Sequence, residues 1–135
     1  MNAVDILLGL DADSLGFKNE KELEIKRLSQ KAGKPFIVKL CGVPARRFTR
    51  TISGTTDKSG TVQADKAYDA NVNLCVIGLV DPSMKDKDLM ERFGCSTPGE
   101  LLEKIFSPAE IAAMGDVIME LSGFGGKDVV AEVKN

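Results

Sequence analysis

The sequence predicts an α+β domain, an N-terminal β-hairpin packed by a mainly helical C-terminal two thirds. Three observations carry that prediction. Residues 23–28 and 36–40 are short runs rich in large apolar side chains, separated by Ser29 to Pro35 with Gly33 in the middle, the pattern of paired strands. From Ala64 onward the apolar spacing changes to three and four residues, the period of a helix. In the last third, Thr97-Pro98-Gly99-Glu100 and Ser107-Pro108-Ala109-Glu110 each set a hydroxyl, a proline and a glutamate at the spacing of a helix start.

In the hairpin, Leu23 and Ile25 alternate with Glu24 and Lys26, and Phe36, Val38 and Leu40 share a face opposite Ile37 and Lys39. A two-stranded ribbon is marginal in water, so helices are expected to cover one face. Gly42-Val43-Pro44 ends the second strand and places Pro44 in the first turn of a helix running to about Ile52. Residues 53–63 hold two Gly, two Ser and three Thr, a composition that predicts a mobile loop.

Tyr68, Val72, Cys75 and Leu79 then share one face of a helix, extended by Ala64 and Ala67 and stopping near Asp81-Pro82. A shorter helix is expected over Lys85 to Phe93, with Leu89, Met90 and Phe93 inward. Two complete capping boxes are expected at Thr97/Glu100 and Ser107/Glu110, each contributing about 1 kcal/mol. The last helix buries Ile111, Met114, Ile118 and Leu121 and stops at Ser122-Gly123. Residues 127–135 read as a flexible tail.

The 135 residues fit a single domain, with an ordered core expected over about 22–126. Eighteen Lys and Arg against twenty Asp and Glu leave a net charge of −2, which offers no global attraction to nucleic acid or an acidic membrane. The distribution is uneven: residues 1–17 carry −3, residues 18–50 carry +7 and residues 51–135 carry −6. The densest apolar run, Leu74 to Val80, is too short to cross a bilayer, and Asp5 stands where a signal peptide needs an apolar run.

There is no His and no Trp, which removes the usual proton shuttle and the commonest metal ligand. Cys95 has no His to activate it. Cys41, Cys75 and Cys95 are far apart and odd in number, as in a reducing cytosol, and read as small core hydrophobes. Asp81, Asp86 and Asp88 lack the alternating oxygen pattern of a calcium loop, and Gly123 to Gly126 follows a helix where a dinucleotide loop follows a strand. The expectation is a protein that is not an enzyme and carries no cofactor and no metal.

Two segments remain as candidates for binding a partner. Arg46, Arg47 and Arg50 lie on one predicted helix within the basic segment, and the acidic total and the single Tyr argue against nucleic acid as the partner there. Leu121 and Phe124 flank the last helix stop, where a large aromatic is either folded back as a cap or offered to a partner.

Read as an ordered pattern, Val80-Asp81-Pro82, Leu89, Arg92-Phe93-Gly94, Thr97 to Leu102, Ser107 to Ile111 and Leu121 to Phe124 resemble the XkdN-like phage tail assembly chaperones. The upstream hairpin at Glu22 to Leu28 and Phe36 to Leu40 belongs to the same resemblance, which spans about residues 22–126. The Arg-rich helix and the polar loop 53–63 depart from it. The resemblance implies a non-enzymatic phage or prophage chaperone of the bacterial host cytoplasm. It would bind the tape measure protein, recruit tail tube subunits and be absent from the mature virion. It also implies a family in which translation can run past this end by frameshifting. The alternative is a structural tail component of the virion, a completion or adaptor subunit whose hairpin pairs with neighbours.

Overall fold

A computed structural model describes residues 2–16, 19–52, 64–124 and 129–133. Two antiparallel strands open its sheet, the first of them three residues earlier than the sequence predicts. Strand β1, Glu20–Glu24, pairs antiparallel with β2, Ile37–Cys41, from Glu20 opposite Cys41 to Glu24 opposite Ile37. Val38 and Leu40 are fully buried while Ile37 faces outward, so the alternation assigns the covered face correctly.

The expected first strand over 23–28 is corrected at both ends, since the strand begins at Glu20 and only Leu23 and Glu24 of the expected six residues belong to it. Ile25 begins helix α2, Lys26–Ala32, and the strands are joined by that helix. Lys, Arg, Leu, Gln and Ala are good helix formers, and Gly33 closes the helix in the left-handed region at φ 70°. Two bonds hold the connection against the strands: Ile25 N–H donates to the Phe36 carbonyl at 3.0 Å, and Phe36 N–H donates to Ser29 Oγ at 2.8 Å.

A third strand is the second correction. Helix α3 spans Ala45–Ile52, starting just after Pro44, and helix α4 spans Ala64–Gly78. Helix α4 therefore stops three residues before Asp81. Leu79–Asp81 instead forms β3, antiparallel to the far edge of β2, giving the order β1-β2-β3 with a register irregularity at Lys39/Leu40. The apolar period continues through Leu79, which is buried either way. What overrides it is the row of β2 backbone groups on the side away from β1, which must find partners.

Helix α5 is Lys87–Arg92, with Asp86 accepting from Leu89 N–H at 3.0 Å. Leu89 and Met90 are half-buried, but Phe93 is 42% exposed, against the inward position expected for it. Helix α6 is Pro98–Ile105 and helix α7 is Pro108–Leu121. At Ser107 the capping box is complete: Glu110 N–H reaches Ser107 Oγ at 3.2 Å and Ser107 N–H reaches Glu110 Oε1 at 2.8 Å. At Thr97 only half of it forms, because Glu100 turns its carboxylate to Ser96, accepting from that residue's N–H and hydroxyl.

The core gathers Val38 and Leu40 from the sheet, Phe48 from α3, Leu74 and Cys75 from α4, Met84, and Leu101, Leu102, Ile111, Met114 and Ile118 from the last two helices. Helices α4 and α7 approach closely through glycines. A Cβ on Gly78 would lie 2.5 Å from Ile118 Cδ1, and one on Gly115 would lie 2.5 Å from Asn71 Oδ1.

Upstream of the expected core, Ala3–Leu8 forms a helix, α1, and Ala12–Leu15 forms a 3₁₀ turn, and neither buries a residue. The predicted loop 53–63 lies outside the described residues, as do 127, 128, 134 and 135 of the predicted tail. Residues 129–133 form neither helix nor strand, with Val129, Val130 and Val133 exposed.

Candidate partner-binding surface

The two candidate segments meet at one end of the domain. Helix α3 is amphipathic, with Phe48 buried against the core while Arg46, Arg47 and Arg50 face outward and are exposed. Its first turn is held by Phe48 N–H on the Pro44 carbonyl at 2.9 Å, and Thr49 Oγ donates to the Ala45 carbonyl. A shallow depression of about 310 Å³ runs along Ala45, Arg46, Thr49 and Arg50.

The end of α7 is built by backbone geometry. Gly123 takes φ 88°, Gly123 N–H donates to the Glu120 carbonyl, and Phe124 N–H donates to the Met119 carbonyl at 3.0 Å. That pair of bonds is a Schellman closure, which returns the chain toward the helix that it leaves. Ser122, buried at the stop, donates to the Ile118 carbonyl at 2.6 Å and accepts from Val43 N–H at 2.8 Å. The helix end is thereby tied to the segment leading into α3.

Phe124 is folded back. Its ring stacks on Phe48 with centroids 4.1 Å apart and planes 18° apart, and it remains half-exposed at its outer side. Leu121 is half-buried against the core. Beside Phe124 a cleft of about 450 Å³ opens, lined by Gly16, Val43, Pro44, Ala45, Ser122 and Gly123. The surface thus joins an apolar cleft to a helix face carrying three arginines.

Among the described residues no group of three His, Cys, Asp or Glu could hold a metal ion, and no helix is long and apolar enough to cross a membrane. Cys75 is buried, its thiol pushed up to about 12 by desolvation, and Sγ donates to the Ile111 carbonyl. Cys41 and Cys95 are only half-buried, so the core reading of the cysteines fits Cys75 best.

Sequence reasoning missed two features. One is a second groove of about 360 Å³ between α2, α5 and α6, lined by Leu28, Phe36, Leu89, Phe93 and Ile105. Helical spacing alone could not reveal it, because its walls are far apart in sequence. The other is the exposed apolar face of α1, for which the available signal was a run of aliphatic residues with only acidic charges in residues 1–17.

The fold is similar to one solved structure in particular, the crystal structure of the protein YqbN, a structural genomics target. The TM-score is 0.56 at 20% identity, over 79% of this chain and 88% of that one, a likeness of fold. No curated protein matches the chain significantly. A family model described as phage XkdN-like tail assembly chaperone protein matches residues 5–134. With nearly the whole chain inside that match, the protein belongs to the XkdN-like family of phage tail assembly chaperones.

Proposed function

We propose that this chaperone binds the tape measure protein through the surface around Phe124 and Arg46, keeps it soluble and recruits tail tube subunits to it. It acts without catalysis, in the bacterial host cytoplasm, and leaves before the virion is complete. The observation that carries this reading is the Phe48–Phe124 stack, which sets an apolar cleft beside the arginine face of α3. A long amphipathic partner needs both kinds of contact, apolar side chains for affinity and charge for register. Arg50 lines the same depression, Arg47 is exposed on the same helix, and Leu121 directly precedes Ser122 of the cleft.

Co-expression with the tape measure protein tests the proposal. The full chain should keep that partner in the soluble fraction and co-purify with it, and Arg46→Glu and Phe124→Ala should each reduce co-purification. Retention should fall as ionic strength rises. Unchanged binding by both variants overturns the assignment of the surface. Presence of the chain in purified virions overturns the chaperone reading in favour of a completion or adaptor subunit.

A further inference from the structure

Strand β1 is an edge of the sheet, since among the described residues only β2 pairs with it. The bonds that bracket its ladder, Gly42 N–H to the Asn19 carbonyl and Ile25 N–H to the Phe36 carbonyl, are both 3.0 Å. In an antiparallel ladder alternate residues direct their backbone groups to the partner strand. Asn19, Lys21, Leu23 and Ile25 therefore face β2, and the N–H and C=O groups of Glu20, Glu22 and Glu24 point away from it, at exposed positions. An edge of this kind is a template for a further strand.

The side chains at the edge define what can be added. Glu20, Glu22 and Glu24 share one face of β1. Across the ladder only Glu22 meets a base, Lys39, while Glu20 stands opposite Cys41 and Glu24 opposite Ile37. On the other face, beside Leu23, a cleft of about 450 Å³ separates the end of β1 from α7. Leu23 and Ile25 line it with Ala109, Ala113 and Met114 of α7, and Lys26 and the Arg27–Glu110 pair stand at its α2 end. Ala109 and Ala113 are exposed, small side chains that leave room over the cleft. No residue of β2 lines it, so it lies on the free side of β1.

Three acids on one face call for bases at alternate positions of the added strand. The chain's own segments do not supply them. Residues 2–16 contain no base, residues 53–63 contain only Lys58, and alternation along 127–135 puts Lys127 and Lys134 on opposite faces. A second copy of β1 fails for a related reason. In every antiparallel register the residues that bond outward pair with one another, which sets glutamate against glutamate.

We infer that the free edge of β1 takes up an extended segment of a partner protein as a fourth, antiparallel strand, one that alternates basic with apolar residues. Its bases line up with Glu20, Glu22 and Glu24, its backbone bonds to theirs, and an apolar side chain between the bases enters the cleft over Leu23 and Ala113. Arg46 and Phe124 take no part, so the assignment stands apart from how the tape measure protein is bound.

A peptide of about seven alternating Lys and Val residues, enough to span the five-residue strand, tests the inference on the full chain by fluorescence anisotropy and amide hydrogen exchange. It should bind saturably and slow the exchange of the Glu20, Glu22 and Glu24 amides, which exchange freely without it. Glu22→Lys should weaken binding at least about tenfold with an unchanged circular dichroism spectrum. Ala113→Trp, which fills the cleft from an exposed position, should do the same. A peptide with Glu in place of Lys should also bind at least about tenfold more weakly, as should the Lys peptide N-methylated at its Lys residues, whose N–H groups face the edge. No binding up to about 1 mM overturns the inference. Equal binding by the N-methylated peptide overturns it, as does binding that leaves the three glutamate amides unprotected, because either result reduces the contact to charge. Amides already protected in the free chain also overturn it, by placing a second copy or another part of this chain on the edge.

Discussion

Phe124 lies flat on Phe48, the two rings 4.1 Å apart and within 18° of parallel. One residue belongs to the chain leaving the last helix and the other to the buried side of the arginine helix. Their contact makes one surface of two segments that are 76 residues apart in number.

That stack should be measurable as coupling. Phe48→Ala, in a buried position, is expected to cost about 3–5 kcal/mol, and the half-exposed Phe124→Ala about 1–3 kcal/mol. A double-mutant cycle from urea melts should return about 0.5–1.5 kcal/mol of interaction. Additive losses would mean that the rings are not in contact in solution.

The two helix starts should respond unequally. Ser107→Ala removes the acceptor of a closed box and is expected to cost about 1–2 kcal/mol, whereas Thr97→Ala, in a box whose glutamate points to Ser96, should cost about 0.5–1 kcal/mol. Paired thermal melts check the order, and a larger loss at Thr97 would contradict it.

Acid sensitivity should have a local source. Arg27 donates to both carboxylate oxygens of Glu110, at 2.9 and 3.1 Å, and to the Ile105 carbonyl. Its hydrogen bonds hold the Glu110 carboxyl below the usual glutamate range. A lowered folded-state pKa means that this stabilisation is present above the unfolded value and lost as pH falls through the folded one. Glu110→Gln should therefore be less stable than the native chain at pH 7 and converge with it in acid, below about pH 4. Parallel stability curves across that range would contradict the assignment.

Helix α4 should tolerate nothing larger than Gly78 opposite Ile118 of α7. Gly78→Ala brings a methyl to 2.5 Å of Ile118 Cδ1 in a fully buried position, and overpacking of this kind costs about 1–3 kcal/mol. Adding Ile118→Val should recover part of the loss in the same denaturant series, and a neutral Gly78→Ala would show that the helices stand farther apart.

The sequence by itself determined what depends on neighbours along the chain. The starts of α6 and α7 follow from Thr97 and Ser107 with their prolines, the stop of α7 follows from Gly123, and the buried face of β2 follows from the alternation of Val38 and Leu40. These are short-range hydrogen bonds and periodicities, so local residues suffice to set them. Tertiary structure decided the rest. Leu79 leaves its helix because the edge of β2 needs hydrogen-bond partners, and Ile25 leaves its strand to open α2 toward Glu110. Phe124 had two local outcomes open to it, cap or free contact, and the presence of Phe48 beneath it selects the cap. In each case the deciding partner is distant in sequence, where neither spacing nor propensity carries its position.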